Sequence, residues 1–167
     1  MEKVAVITGG AHGIGKAMVK GFLEKKIKVA YIDKDQEAGE DLLQEVSKES
    51  PEVMFYHGDL SLKEDMEDFI QKVVKKFGKV DYLINNACIH HYGILSGCSY
   101  EDFNQVLKVG VTAPYYLTLL LRHHFAKDAA ILNISSTREH MSQRDTESYS
   151  AAKGGIGSLT HALAMSL

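Results

Sequence analysis

Short apolar runs alternate with segments of helical spacing along this chain of 167 residues. The runs are Val4 to Thr8, Val29 to Asp33, Val53 to His57, Val80 to Asn85 and Ala129 to Ser135. Most of them are almost continuously apolar, which is typical of strands that are covered on both faces of a parallel sheet. The alternation therefore predicts βαβ units and a doubly wound α/β fold with a parallel sheet.

The segments between the runs carry apolar residues at helical spacing. The first set is Ile14, Ala17, Met18, Gly21 and Phe22, and the second is Met66, Phe69, Ile70, Val73, Val74 and Phe77. Each set lies on one face of a helix, so each helix is expected to pack one side against the sheet.

Two prolines indicate where helices are interrupted. Pro51 falls between the second helix and the third strand, where a break is expected. Pro114 falls inside an apolar, otherwise helical stretch from Tyr100 to Phe125. Because proline cannot donate a helical hydrogen bond, we predict a kink or a break between Gly110 and Pro114.

Composition limits the class of protein. A chain of this length with 45% apolar residues can bury one core, so residues 1–167 are expected to form a single domain. The net charge of −3 is scattered and forms no basic stripe, which argues against a nucleic-acid partner. No stretch is long enough to span a bilayer, and the glycine-rich start does not resemble a secretory leader. We therefore expect a cytoplasmic protein with no membrane partner.

Cysteines and paired histidines add little. Cys88 and Cys98 lack the spacing of a disulfide framework and are expected to be free thiols. The pairs His90-His91 and His123-His124 lack a carboxylate or thiol that would complete a metal site, so no metal is predicted.

A glycine cluster follows the first strand and opens directly into a helix. It reads Thr8-Gly9-Gly10-Ala11-His12-Gly13-Ile14-Gly15. Glycines allow a tight turn and close approach of a ligand, and a helix N-terminus favours a pyrophosphate. A tight turn alone would also explain the cluster.

Asp33 at the end of the second strand favours ligand binding, because a carboxylate there accepts hydrogen bonds from an adenosine ribose and repels a 2′-phosphate. Asp33 could also be an ordinary turn residue, and the neighbouring Lys34 could meet a phosphate.

A second constellation lies near the end of the chain. Tyr149 and Lys153 are four residues apart at the start of a helical stretch, so they share one face. Ser135 and Ser136 are expected to end the fifth strand, at the carboxyl edge of the sheet where doubly wound folds bind ligands.

Taken together and in this order, the motifs resemble those of the short-chain dehydrogenase/reductase family of Rossmann-fold oxidoreductases, over essentially the whole chain. The matching elements are the glycine cluster, Asp33, Asp59-Leu60, Asn85-Asn86-Ala87, Ser136, Tyr149 and Lys153. The resemblance implies that Tyr149 exchanges a proton with the substrate oxygen, that Lys153 promotes ionisation of the phenol and holds the nicotinamide ribose, and that Ser136 binds the reacting oxygen. It also implies a set of cofactor-binding residues, namely Gly9, His12, Gly13, Ile14, Gly15, Asp33, Asp59, Leu60, Asn86, Tyr149 and Lys153. Asp33 predicts that NAD(H) is preferred over NADP(H).

The chain departs from the family at three places. Gly110 stands where the family has an asparagine that completes a proton relay through water, so either the enzyme is impaired or the glycine carbonyl still binds that water. Cys88 replaces a glycine and is expected to pack as a small thiol. The sequence ends at Leu167, where the family continues with two more strands and the helices that close over the substrate, so we expect much of the substrate pocket to be absent.

The resemblance further implies a homodimer or homotetramer formed through the long helices. Candidate contact residues are Ala151, Ala152, Gly154, Gly155, Gly157, Leu117, Leu119, Leu120 and Leu121.

Three functions remain open at this point. We favour an oxidoreductase that transfers hydride between NAD(H) and a small alcohol or carbonyl compound. The loop with Thr137, Arg138, Glu139, His140, Gln143, Arg144, Asp145 and Glu147 is either solvated or part of a pocket for a polar, sugar-like substrate. The alternatives are an NAD(H)-binding module with little turnover and a protein related to nucleotide-sugar epimerases.

Overall fold

The computed structural model describes residues 2–48, 52–91 and 93–167, so the break predicted at Pro51 lies outside the described residues. Five parallel strands form one sheet in the order β3-β2-β1-β4-β5. The strands are β1 (Val4–Thr8), β2 (Lys28–Asp33), β3 (Val53–His57), β4 (Val80–Asn85) and β5 (Phe125–Asn133). The doubly wound α/β fold is confirmed, and the first four strands agree with the predicted runs to within one residue.

Helices follow the strands and cover both faces of the sheet. They are α1 (Gly13–Glu24), α2 (Gln36–Ser47), α3 (Lys63–Phe77), α4 (Tyr100–Leu107), α5 (Ala113–Leu121) and α6 (Glu147–Ser166). In α3 the predicted face is buried through Met66, Phe69, Ile70 and Val73. One core cluster joins the sheet to α3 and α5, and a second joins the opposite face to α1 and α2.

The stretch predicted as one helix from Tyr100 to Phe125 is divided. A π-helical turn from Lys108 to Thr112 separates α4 from α5. Pro114 lies in the first turn of α5 and has no N–H, so it donates no helical hydrogen bond to the carbonyls of the π-helical turn before it. The predicted break between Gly110 and Pro114 is confirmed. The predicted end of the helix is wrong, because α5 stops at Leu121 and Phe125 already belongs to β5.

The fifth strand differs most from its prediction of Ala129 to Ser135. It begins four residues earlier and ends at Asn133, so Ser135 and Ser136 lie beyond it. Lys127 and Asp128 are exposed, and half of the Leu132 side chain is accessible. Among the described residues β5 pairs with β4 alone, and its sequence lacks the continuous apolar pattern of a strand that is covered on both faces.

The prediction of leucines at the contact between copies of the chain is wrong for two of them. Leu117 and Leu121 are fully buried in the core, so they cannot supply surface for a second copy of the chain. Leu119 and Tyr115 are exposed on the same helix. None of the helices in the described ranges is long and apolar enough to cross a membrane.

The order of the strands locates the candidate site. β1 lies between β2 and β4, so the chain leaves β1 in opposite directions to build the two halves of the sheet. Ligands of open α/β sheets bind at the carboxyl ends of the strands at this switch point.

Candidate functional site

The glycine loop between β1 and α1 has a compact shape that depends on its glycines. Gly9 and Gly13 have φ values of +66° and +48°, a region that favours glycine. At Gly15 a Cβ would come within 1.9 Å of the carbonyl oxygen of Gly9, so only glycine allows the loop to fold back on the helix. The loop therefore brings backbone groups to the N-terminus of α1, as a pyrophosphate site requires.

Asn86 fastens this loop to the end of β4. Its side-chain amide donates to the carbonyl oxygens of Thr8, at 3.0 Å, and Gly9, at 3.1 Å. In return the Thr8 hydroxyl accepts from the backbone N–H groups of Asn86 and Ala87, each at 3.0 Å. Asn86 therefore holds the glycine loop in shape.

A cavity of about 350 Å³ opens between the glycine loop and the ends of β2 and β4. Seven of the predicted cofactor residues line it, namely Gly9, His12, Gly13, Asp33, Asp59, Leu60 and Asn86. Residues that the sequence did not single out for the cofactor complete the wall, namely Ile32, Gly58, Ala87, Cys88, Ile89, Gln105 and Val109, together with Lys34. The volume falls within the range of small-molecule sites.

Four predicted cofactor residues do not line this cavity, namely Ile14, Gly15, Tyr149 and Lys153. Ile14 lies in the first turn of α1 with 61% of its side chain exposed, and Gly15 is buried behind Gly9. The positions of Ile14 and Gly15 fit cofactor binding through their backbone groups. The sequence pattern alone does not distinguish such a role from one of the side chain.

Asp33 lies at the floor of the cavity and is bound to the glycine loop. One carboxylate oxygen accepts the N–H of Ala11 at 2.9 Å, and the other accepts the N–H of Asp35 at 3.1 Å. A carboxylate has about four lone-pair positions, so this oxygen pair can still accept hydrogen bonds from a ligand. Lys34, which the sequence places next to this acid, is exposed at the same cavity wall.

His12 has a partner that was not predicted. Its Nε2 lies 2.8 Å from the carboxylate of Asp35, and of these two residues only His12 lines the cavity. Asp35 also accepts the N–H of Ala38 and so caps α2. The hydrogen bond from Ala38 and that from His12 lower the pKa of the Asp35 carboxyl.

Asp59 and Leu60 form the opposite wall. The Asp59 carboxylate accepts the N–H of Ser61 at 2.7 Å, and its own N–H donates to Asp65 at 2.7 Å. Leu60 is almost fully buried. These contacts give a rigid turn with an apolar side chain beside the cavity.

Lys153 and Tyr149 are brought together in the first two turns of α6. The Lys153 ammonium lies 5.5 Å from the centre of the Tyr149 ring and donates to the carbonyl oxygen of Ile134 at 2.6 Å. Lys153 is 95% buried, whereas Tyr149 is half-buried and can reach a ligand. A buried ammonium that is held in place by a carbonyl provides a fixed positive charge beside the phenol.

Ser136 lies two residues beyond the carbonyl that holds Lys153. Its hydroxyl oxygen accepts the N–H of Arg138 at 3.2 Å and caps a short 3₁₀ turn from Thr137 to Glu139. The described contacts thus join Lys153 to Tyr149 directly, and Ser136 to them through the backbone after β5.

Cys88 connects the cavity to this pair. It lines the cavity, and burial raises the pKa of its thiol while the charge of Lys153 acts in the opposite direction. The cavity and the Tyr149–Lys153 pair are therefore neighbours.

The loop after β4 contributes a contact that the sequence did not reveal. The imidazole ring of His90 stands at 86° to the Tyr149 ring, with 5.8 Å between the ring centres.

The polar loop before α6 is partly exposed and partly attached. Glu139 accepts a hydrogen bond from Ser135 and packs against Gly157, where a Cβ would lie 2.1 Å from its Oε1. Asp145 has a left-handed backbone with φ 61°, which is uncommon for a residue with a side chain. Across residues 2–48, 52–91 and 93–167, no three histidine, cysteine, aspartate or glutamate side chains are arranged to hold a metal ion.

Comparison with known proteins gives the family. The model of the short chain dehydrogenase family matches residues 3–167. The chain is 36% identical to an uncharacterized oxidoreductase of Thermotoga maritima, covering 99% of this chain and 65% of that protein. It is 34% identical to the L-fucose dehydrogenase of Mus musculus, covering 98% of this chain and 59% of that protein. The chain therefore belongs to the short-chain dehydrogenase family of oxidoreductases and spans about three fifths to two thirds of the length of these relatives.

Solved structures agree with this assignment. An apo SCOR enzyme from Clostridium thermocellum superposes with a TM-score of 0.91 at 44% identity, covering 99% of this chain and 67% of that one. A short chain dehydrogenase/reductase from Burkholderia phymatum in complex with NAD superposes with a TM-score of 0.92 at 27% identity, covering 99% of this chain and 60% of that one. The family resemblance inferred from the motifs is confirmed.

Proposed function

We propose that this chain forms the cofactor-binding and catalytic part of an NAD(H)-dependent dehydrogenase or reductase that acts on a small, polar alcohol or carbonyl compound. The observation that carries the proposal is the Lys153–Tyr149 pair, fixed by Ile134 next to a cavity with a glycine loop. A cytoplasmic location and a homodimer or homotetramer remain predictions of the same account.

The residues that line the cavity support the binding of a dinucleotide. The glycine loop presents backbone N–H groups at the start of α1, and a Cβ at Gly15 would destroy this arrangement. Asp33 would accept the adenosine ribose hydroxyls and would repel a 2′-phosphate, which favours NAD over NADP. Lys34 at the same wall acts in the other direction, so Asp33 must outweigh it. When bound, the nicotinamide accepts or donates the hydride.

The chain's own residues would handle the proton. In the oxidation direction, the substrate hydroxyl would give its proton to the Tyr149 phenolate as the C–H hydride leaves the same carbon. Lys153 would stabilise the phenolate by its charge, and the Ser136 hydroxyl would donate a hydrogen bond to the reacting oxygen. Reduction of a carbonyl is the reverse of this step.

The position of Gly110 favours a relay water on its carbonyl over an impaired enzyme. It lies in the π-helical turn, in which hydrogen bonds run from residue i to i+5, as between Lys108 and Ala113. Such turns disturb the regular pairing of carbonyls and are frequent at functional sites. We propose that the Gly110 carbonyl binds a relay water within reach of Lys153.

The polar substrate is supported by two observations. The loop beside Tyr149 contains charged side chains of both signs, including Arg138 and Glu139. Two relatives with 34% identity, from Mus musculus and Rattus norvegicus, are L-fucose dehydrogenases, so a sugar or related polyol is our preferred substrate class.

A screen of the whole protein tests this function. NAD or NADP would be supplied with a panel of sugars, polyols, hydroxy acids and ketones, and turnover followed at the nicotinamide absorbance band. We expect NAD-dependent oxidation of at least one polyol. If the Gly110 carbonyl binds a relay water, the wild type cannot be inert with every substrate while Gly110→Asn is active. That result would contradict the relay-water hypothesis and would favour the alternative of an NAD(H)-binding module with little turnover.

A further inference from the structure

The position of His90 is fixed by its loop at both ends. The loop begins at Asn86 and Ala87, which are hydrogen-bonded to Thr8 of β1. After His90, the His91 ring lies 3.4 Å from Gln105 and 3.8 Å from Asp102, both on α4. His90 therefore lies between two anchored residues.

The same loop also packs against the start of α6. At Gly93 a Cβ would lie 1.9 Å from Glu147 Oε2 and 2.5 Å from the Cα of Asp145, so glycine is required for this approach. Glu147 is the first residue of the helix that carries Tyr149. The packing holds the His90 ring against the Tyr149 ring at the observed 5.8 Å.

His90 is exposed, whereas Lys153 on the same helix as Tyr149 is buried. The Tyr149 ring thus has a buried ammonium on the protein side and an imidazole on the accessible side. An imidazole can donate and accept hydrogen bonds through its two ring nitrogens. The imidazole therefore lies next to the ring whose hydroxyl would receive the substrate oxygen.

We propose that His90 determines specificity by hydrogen-bonding a hydroxyl on the carbon next to the reacting carbon, so that vicinal diols, including cyclic sugars, are selected over simple alcohols. This inference rests on the proposed function, because it assumes that Tyr149 receives the reacting oxygen. The two oxygens of a vicinal diol lie about one hydrogen-bond length apart, so one could reach the Tyr149 hydroxyl while the other contacts the adjacent imidazole.

The test compares cis-1,2-cyclohexanediol with cyclohexanol, which differ by one hydroxyl. In the whole protein, kcat/KM with NAD and the Kd for each alcohol in the complex with NADH would be measured for the wild type, His90→Phe, His90→Asn and His123→Phe. His90→Phe retains an aromatic ring against Tyr149 but has no ring nitrogen. His90→Asn retains hydrogen bonding, and His123→Phe is a remote control on an exposed histidine.

We expect the wild type to prefer the diol and His90→Phe to reduce the diol-to-alcohol ratio about tenfold, as for loss of one hydrogen bond, because the diol loses more than cyclohexanol. His90→Asn should restore part of the ratio, and His123→Phe should not change it. An unchanged ratio in His90→Phe, an equal loss for both alcohols, or no binding of either alcohol would overturn the proposal. If neither alcohol is oxidised but the preference in Kd depends on His90, the redox function fails and the role of His90 stands.

Discussion

Gly110 of the π-helical turn faces Ala152 of α6 so closely that a Cβ on residue 110 would lie 2.9 Å from the Ala152 Cβ. Ala152 is fully buried and directly precedes Lys153. The missing side chain at position 110 therefore has a packing reason as well as a chemical consequence. The helix that carries Tyr149 and Lys153 rests on this contact.

Gly110→Ala should destabilise the protein by about 1–3 kcal/mol, because an added methyl group overpacks a buried contact. Adding Ala152→Gly should recover part of the loss, and a double-mutant cycle in urea would measure the coupling. Gly21→Ala in α1 is the matched control, since Gly21 is not a candidate contact between copies of the chain and among the described residues no atom lies within 4 Å of a Cβ there. That control should stabilise the helix by about 0.5–1 kcal/mol. Equal effects of the two alanine variants would contradict the packing account.

Asp33→Ala should narrow the preference for NAD over NADP by roughly tenfold to a hundredfold, because hydrogen bonds to a charged group contribute about 1.5–3 kcal/mol. Titration of each cofactor against both proteins would measure this. Lys34→Ala should weaken NADP binding more than NAD binding. Equal affinity of the wild type for the two cofactors would contradict the role of Asp33.

Bound NAD should protect Cys88 from alkylation, because Cys88 lines the cavity and Cys98 does not. Burial raises the pKa of the Cys88 thiol, so its reaction should be slow at neutral pH and should accelerate as the pH rises and the thiolate forms. Mass spectrometry after iodoacetamide treatment with and without NAD would follow both cysteines. Protection of Cys98 alone, or of neither, would place the dinucleotide elsewhere.

The sequence predicts the central strands well because burial on both faces leaves a clear pattern. Val4 to Thr8 and Val80 to Asn85 are predicted with the observed bounds. The pattern fails at β5, where Lys127 and Asp128 are exposed at the border of the sheet. It identifies a break near Pro114 but not a π-helical turn, because proline specifies a missing donor and not the hydrogen-bond pattern before it.

The candidate site can also be predicted from the sequence only in part. Residues within one motif, such as Tyr149 and Lys153, are recognisable from their spacing. The contact between His90 and Tyr149 and that between His12 and Asp35 join separate loops, so their formation depends on how the chain packs. Gly93 could have indicated a close approach, although glycine in a loop does not say which segment approaches.

The most direct test of the central claim is the effect of Tyr149→Phe on turnover, measured by NADH absorbance with the best substrate of the wild-type protein while the Kd for NAD is determined in parallel. The account predicts a loss of about 100-fold or more in kcat, because the variant lacks the phenolic acid–base group. The Kd for NAD should change only a few-fold, since Tyr149 does not line the main cofactor cavity. Wild-type turnover in Tyr149→Phe would contradict the assignment of Tyr149 as the catalytic acid–base.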